Sequence, residues 1–191
     1  ITKLSCKTSG LTDVIEITGD VAPAVNISRL SNPERLVIDM PYTELNVKST
    51  PSVSSLKYVD DMELSSEGDG TARITLEIDD RAEYFYTQEG NKTIVNIFKS
   101  TLENVEYDSR RNSIVLDTSD VNINKITVND DYMNRIYTLT LSGDYSETFG
   151  EGLLRVNNDD ISSVEVGLDR YGNTYFKINE NRVLVFEIDE D

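Results

Sequence analysis

The sequence has no histidine and only one cysteine among its 191 residues. Without histidine, neither Ser-His-Asp nor Cys-His catalysis is available, and zinc sites that use imidazole are excluded. The single Cys6 can form neither an intramolecular disulfide nor a thiolate metal cluster. Nothing in the spacing of the carboxylates selects the close pair that glycoside hydrolysis requires. We therefore predict no catalytic residues, no metal and no cofactor.

Positive charge is also scarce, because 18 Lys and Arg residues stand against 35 Asp and Glu residues, for a net charge of −17. A non-specific nucleic-acid binder needs clustered basic residues, so no nucleic-acid partner is expected. No apolar run approaches the roughly 18 residues that would span a bilayer, so we expect no membrane insertion. The first residue is not Met and no signal peptide is present, so we expect a processed chain or a piece of a longer one.

The residues that are present form a β pattern almost throughout. Short segments rich in Val, Ile, Thr and Tyr alternate with clusters of Gly, Asn, Asp and Ser, as in antiparallel β proteins. Every second residue is apolar in Arg35–Met40 and in Arg73–Asp79, and Glu89-Gly90-Asn91 predicts a hairpin turn. Strands with one apolar face need a second layer, so the sequence predicts an all-β fold of small antiparallel β-sandwiches.

The chain resembles itself at a displacement of 101 residues. Val14–Glu16 then falls on Val115–Asp117, and Val25–Ser28 falls on Ile126–Asn129, with no gap between the matches. Alternating strands also match by chance, but ungapped matches in the same order favour a duplication. We therefore expect two tandem β-sandwiches, over residues 1–99 and 100–191. Each half is predicted to end on an apolar strand, Thr93–Phe98 in the first and Arg182–Ile188 in the second.

The first half resembles an AMIN domain over residues 11–98. The resemblance rests on Asp13–Ile17 and Pro33–Met40, then on Ala72–Ile78 and on a hairpin that ends with Thr93–Ile97. In the second half, Asn134–Gly143 is similar to the first of the family's central strands. Its arginine stands one place further from the last apolar residue than Arg35 does, so the second half resembles a divergent copy.

The resemblance implies a non-catalytic module that targets extracytoplasmic proteins of the bacterial cell wall or periplasm to peptidoglycan. Such modules often accompany N-acetylmuramoyl-L-alanine amidases and also occur in secretins. The zinc domain of an amidase requires histidine ligands, so it would lie beyond Asp191. The implied partners are peptidoglycan or another wall polymer, together with envelope proteins. An alternative is a protein–protein assembly module that pairs its edge strands with a partner and binds no glycan directly.

Arg35 and Arg73 are the first candidate ligand-binding residues. Both lie on the polar faces of predicted strands to which the family resemblance also points. Two exposed arginines on neighbouring strands can bind a peptide-stem carboxylate with bidentate geometry. The alternative is cross-strand pairing within the protein, with Glu77 or Asp39 as the partner.

Tyr84 and Tyr86 are the second candidates, because exposed aromatic rings stack on sugars and the sequence has no tryptophan. They share one face of a predicted strand, with Phe85 on the other, so either they form a ligand surface or they lie partly buried with their hydroxyls reaching water. Arg135 and Tyr175 are the weaker counterparts of the two arginines in the second half.

Overall fold

The computed structural model describes residues 1–117, 121 and 125–189 of the chain. The chain divides into two compact units, Ile1–Lys99 and Ser100–Asp191. The strands of the first unit are β1 (Lys3–Ser9), β2 (Thr12–Thr18), β3 (Asn26–Leu30), β4 (Arg35–Met40), β5 (Val59–Ser66), β6 (Ala72–Ile78), β7 (Glu83–Glu89) and β8 (Lys92–Phe98). The elements of the second unit are β9 (Val105–Asp108), β10 (Ser113–Leu116), β11 (Ile126–Asp131), β12 (Ile136–Leu141), α1 (Ser146–Phe149), β13 (Gly152–Arg155), β14 (Ile161–Leu168) and β15 (Thr174–Glu180). The prediction of an all-β fold is confirmed.

The first unit is a sandwich of two four-stranded antiparallel sheets, with strand orders β1-β2-β8-β7 and β3-β4-β6-β5. Apolar side chains from both sheets form one core, in which Ile15, Ile17, Leu36, Ile38 and Ile97 are fully buried. The predicted hairpin joins β7 to β8, and Gly90 at its tip has a φ of 58°, which glycine adopts without strain.

The second unit has layers of unequal size. A five-stranded antiparallel sheet has the order β11-β12-β15-β14-β13, and a two-stranded ribbon consists of β9 and β10. The most deeply buried residues of its core are Leu141, Phe149, Val164, Val166 and Phe176. Ile114 and Leu116 of the ribbon pack against this core, so the ribbon forms the second layer.

One sheet of the first unit recurs in the second unit with the same register. Asn26 pairs with Asp39 between β3 and β4, and Thr127 pairs with Thr140 between β11 and β12, a displacement of 101 residues. The pairing of β5 with β6 recurs in β14 and β15 at a displacement of 102 residues. Both pairs have a register shift at the same place, at Val59/Asp61 in one and Ile161/Ser163 in the other.

The prediction of a strand over Arg182–Ile188 is wrong. The last strand is β15, which ends at Glu180, and residues 181–189 form no ladder. Alternation is present, since Leu184 and Phe186 pack on the core while Val183 and Val185 are exposed. A strand also needs a partner for its backbone groups, and the described part of the second unit contains no hairpin equivalent to β7–β8.

Candidate ligand-binding face of the first unit

The outer face of the sheet β3-β4-β6-β5 carries both candidate arginines. The inward residues of β4 and β6 are all buried: Leu36, Ile38, Met40, Ala72, Ile74, Leu76 and Ile78. Because side chains alternate along a strand, the residues between them point away from the core. Arg35 stands opposite Glu77 in the ladder, and Asp39 stands opposite Arg73. The structure therefore places Arg35 and Arg73 on one surface, which we call the arginine face.

Arg73 is engaged by carboxylates of its own unit. Its Nε donates to Asp39 Oδ1 at 2.6 Å and its Nη2 donates to Asp39 Oδ2 at 3.0 Å. Its Nη1 lies 3.6 Å from Glu67 Oε1. The hydrogen bond to Asp39, followed by the nearby negative charges, raises the pKa of Arg73. A ligand carboxylate would have to compete with Asp39 for this guanidinium.

Arg35 is different, because its side chain is half-buried and makes no ion pair within 4 Å among the described residues. Its Nε is shielded from solvent and has no hydrogen-bond acceptor. A buried donor without an acceptor costs free energy, so the environment of Arg35 favours a change that gives Nε an acceptor, whereas a ligand arriving from solvent meets the outer nitrogens of the guanidinium. The guanidinium fork of Arg35 therefore has unused capacity for an anionic ligand.

An open cavity of about 510 Å³ lies where β4, β5 and β6 meet their loops. Tyr42, Glu44, Asn46, Glu67 and Thr71 are among the residues that line it. Glu67 also contacts Arg73, so the cavity adjoins the arginine face. Its lining combines an aromatic ring with amide, hydroxyl and carboxylate groups, which suits a polar ligand.

Sequence reasoning missed Tyr42, the most exposed large side chain of the first unit. It is 98% exposed and has a φ of 55°, an uncommon backbone conformation for a residue with a side chain. Such an exposed ring can stack on a ligand. The one signal in the sequence was its place directly after a strand and a proline, outside any apolar alternation.

Tyr84 and Tyr86 lie on β7, in the other sheet of the sandwich, so the structure does not bring them to the arginine face. Tyr84 packs against the hydrophobic core and is partly buried. Tyr86 is 46% exposed on the edge strand. Phe85 points to the opposite face, where its ring contacts Phe98 edge to face at 6.0 Å.

Arg135 lies one residue before β12, in the turn that follows β11. It is exposed, has a φ of 57° and donates from Nη1 to the carbonyl oxygen of Asn181 at 2.8 Å. The shared register places Ile136, not Arg135, at the position of Arg35, because Arg35 pairs with Glu77 and Ile136 pairs with Asn179. The second unit therefore carries an apolar residue where the first unit has its unpaired arginine.

Tyr175 occupies the position of Arg73 in the second unit. Its hydroxyl donates to Glu165 at 2.7 Å, and Lys177 Nζ lies 3.6 Å from the same carboxylate. Burial, together with the bond to Glu165, raises the pKa of Tyr175 well above its usual range. This buried cluster satisfies its own polar groups and presents no free guanidinium.

Across residues 1–117, 121 and 125–189, no group of three or more His, Cys, Asp or Glu side chains is placed to hold a metal ion. Over the same ranges, no helix has the length and apolar character needed to cross a membrane.

The comparison with known families identifies the first unit. Residues 5–97 match the family model of the AMIN domain, and this range includes β4, β6 and the arginine face. No curated protein matches the chain. AMIN domains are non-catalytic modules of periplasmic and envelope proteins that target them to the cell wall and envelope. The first unit, whose strands lie almost entirely within residues 5–97, is therefore an AMIN domain.

Proposed function

We propose that this chain is a peptidoglycan-targeting module that holds an extracytoplasmic bacterial protein on the cell wall. The attached protein is a cell-wall amidase whose catalytic domain lies outside this sequence. The observation that carries the proposal is the guanidinium of Arg35 on the outer face of an AMIN domain, which forms no ion pair with a described residue and whose Nε has no acceptor. The second unit is a divergent copy, since it repeats one sheet of the first with the same register.

The ligand group that suits Arg35 is a carboxylate of a peptide stem. A carboxylate can accept two parallel hydrogen bonds from one guanidinium, which fixes its orientation as well as its position. Arg73 is held by Asp39 and lies near Glu67 on the same face, so its charge is balanced within the protein and Arg35 is the arginine left to contact the ligand. Tyr42 and the adjoining cavity offer a surface on which the rest of the ligand can lie.

The net charge of −17 excludes bulk charge attraction as the source of affinity for an anionic wall polymer. Binding through one bidentate contact is local, while repulsion between the acidic protein and the polymer acts at longer range. An ionic strength of about 0.15 M limits that repulsion to about 8 Å. We therefore expect moderate salt to leave wall binding intact, in contrast to proteins that bind through basic patches.

The experiment is cosedimentation of the whole chain with purified sacculi. Wild type is expected to sediment and to release no muropeptides, and Arg35→Ala is expected to lose about tenfold in affinity. Arg81→Ala is the matched control, because Arg81 is exposed in the same unit and only 3.6 Å from the equally exposed Asp80. Failure of the wild type to sediment at low and at moderate salt would contradict the proposal.

Tyr84, Tyr86 and Arg135 are separate candidate contacts, which single alanine substitutions test in the same assay. Tyr86 is the one of these whose ring is substantially open to a ligand at the edge of its sheet. Loss of binding in Tyr86→Ala together with Arg35→Ala would indicate a ligand that reaches both sheets.

The second candidate function is assembly with envelope proteins through edge strands. The observation that favours it is that β10 pairs with β9, and within residues 1–117, 121 and 125–189 no strand pairs with the other edge of β10. This function predicts no binding to sacculi and retention of a defined protein from an envelope extract. A chain that sediments with sacculi through Arg35 would argue against it.

A further inference from the structure

The described part of the second unit has no counterpart of one strand that the first unit uses to complete its sandwich. In the first unit β8 lies between β2 and β7, and it pairs with β2 along seven residues. In the second unit the equivalent of β2 is β10, and no described strand pairs with its second edge. The backbone groups along that edge are therefore available to another strand.

The apolar side chains of β10 show the consequence. Ile15 and Ile17 of β2 are fully buried under β8 and the opposite sheet, whereas Ile114 and Leu116 of β10 are only partly buried. Val115, on the other face of β10, is 39% exposed. An added strand would cover this edge and bury apolar surface that now faces water.

The same unit contains a strand-like segment without a partner, Val183–Ile188. Val183 is 61% exposed and Val185 is 95% exposed, while Leu184 and Phe186 rest on the core. The Phe186 ring lies 4.4 Å from that of Tyr137. The segment therefore already has the two-faced alternation of a strand but no ladder of backbone hydrogen bonds.

The charges that flank the two elements are complementary. Arg110 and Arg111 lie in the turn before β10, and Glu187 and Asp189 lie at the end of the segment. Arg110 forms no ion pair among the described residues, and Arg111 lies 3.8 Å from Asp108. In an antiparallel pair the end of the segment meets the start of β10, which brings Glu187 towards Arg110. A parallel pair would bring Arg182 there instead.

We propose that the partner of this open edge is a second copy of the chain. Val183–Ile188 of each copy pairs in antiparallel register with β10 of the other, in the place that β8 takes in the first unit. Leu184 and Phe186 turn to the partner's core, and the exposed valines lie beside Val115 as cross-strand neighbours. A single two-fold axis relates the two copies, so that β10 and Val183–Ile188 of each copy are both paired in the dimer. Neither of these two elements is then left open to add a third copy. This dimer does not depend on wall binding.

Sedimentation velocity on the whole chain, over about 1–100 µM, tests the proposal. We expect the sedimentation coefficient to increase from that of a monomer to that of a dimer as the protein concentration rises. The double variant Val185→Pro with Ile188→Pro is expected to remain monomeric, because proline removes backbone donors on both sides of the segment. Val185→Thr with Ile188→Thr is the matched control, since it keeps the donors and the β-branching and is expected to dimerise.

A charge exchange tests the antiparallel direction. Arg110→Glu is expected to weaken the dimer about threefold, and adding Glu187→Arg to it is expected to restore the affinity. Circular dichroism of each variant checks that the fold is retained.

A chain that stays monomeric throughout the concentration range overturns the proposal, as does a dimer that survives both prolines. If the chain stays monomeric but binds a synthetic peptide with the sequence of its own β8, Lys92–Phe98, the open edge accepts an added strand that Val183–Ile188 of a second copy does not supply, and the proposed dimer is overturned.

Discussion

Arg73 and Asp39 face each other across two neighbouring strands and are joined by two hydrogen bonds, of 2.6 and 3.0 Å. The pair commits the guanidinium of Arg73 to the protein. The guanidinium of Arg35, in contrast, forms no ion pair with a described residue, and its Nε has no acceptor. The position of each arginine follows from strand alternation. The register sets a carboxylate opposite each of them, Asp39 opposite Arg73 and Glu77 opposite Arg35. Their availability differs because only the Arg73–Asp39 pair is within hydrogen-bond distance.

Removing the carboxylate of Asp39 is expected to strengthen wall binding. In Asp39→Asn the guanidinium of Arg73 loses its closest charged partner and keeps only Glu67 at 3.6 Å, so it becomes more available to a ligand carboxylate beside Arg35. We expect an affinity for sacculi about threefold higher than that of the wild type, because a second charge-assisted hydrogen bond is gained. Cosedimentation measures the affinity of each variant for sacculi. The control is Asp60→Asn, which changes an exposed carboxylate of the same unit. An unchanged affinity would show that Arg73 takes no part.

Asp13 is expected to be the most costly polar residue of the first unit to replace. Its buried carboxylate accepts the backbone N–H groups of Lys57, at 2.8 and 3.0 Å, and of Tyr58, at 2.7 Å, and the hydroxyl of Thr8 at 2.6 Å. Asp13→Ala leaves these donors without acceptors, which we expect to lower the free energy of unfolding by about 2–3 kcal/mol. Urea unfolding measures the change, against Asp20→Ala as an exposed control. If Asp13→Ala lowers the free energy of unfolding by less than Asp20→Ala does, water replaces the carboxylate as the acceptor of these hydrogen bonds.

The fold of the first unit could be predicted from the sequence because each of its strands is marked by residues close together in the chain. Alternation in β4 and β6 identified which residues face the core, and Gly90 marked the turn between β7 and β8. The failure over Arg182–Ile188 has a non-local cause. Alternation states which residues would be buried if a strand formed, but whether it forms depends on a neighbour far away in the chain.

The candidate site was predictable to the same extent. Alternation placed Arg35 and Arg73 on one face, and the sequence left open whether Asp39 or Glu77 pairs with them. The register sets Glu77 opposite Arg35 and Asp39 opposite Arg73, and the side-chain contacts decide for Asp39 with Arg73. Tyr42 was missed because it lies in a loop, where neither period nor charge pattern distinguishes an exposed ring from a buried one.

The stability of the first unit is expected to depend on pH through Asp79. The Lys99 ammonium contacts its carboxylate, and their hydrogen bond lowers the pKa of Asp79 from 3.8 to about 2. Because the folded value is the lower one, the contribution is complete above about pH 4 and is lost as the pH falls through 2. The carboxylate is about a third exposed, so we expect about 1 kcal/mol after solvent screening.

Urea unfolding of wild type and Asp79→Asn between about pH 2 and pH 6 checks this contribution. The difference between the two is expected to shrink towards zero at the acidic end. A difference that stays constant with pH would assign the effect of the substitution to packing instead.

Arg135→Ala is expected to leave wall binding unchanged. Arg135 lies in a turn and donates to the backbone at Asn181, and the position that matches Arg35 holds Ile136. Cosedimentation with sacculi compares Arg135→Ala with Arg35→Ala, a variant in which the second unit is unchanged. If Arg135→Ala also reduces binding, the second unit contributes a contact of its own, and linking two weak sites would then raise the overall affinity.

Arg35→Lys separates the charge of Arg35 from its geometry. Lysine keeps the positive charge but replaces the planar fork with a single ammonium, so it cannot form two parallel hydrogen bonds to one carboxylate. We therefore expect Arg35→Lys to lose binding to sacculi almost as fully as Arg35→Ala, by about tenfold.

The control is Arg81→Lys, at an exposed site whose ion pair does not depend on a fork. Retention of full affinity in Arg35→Lys would mean that the face attracts its ligand by charge alone, and the carboxylate would then no longer be the group that Arg35 recognises.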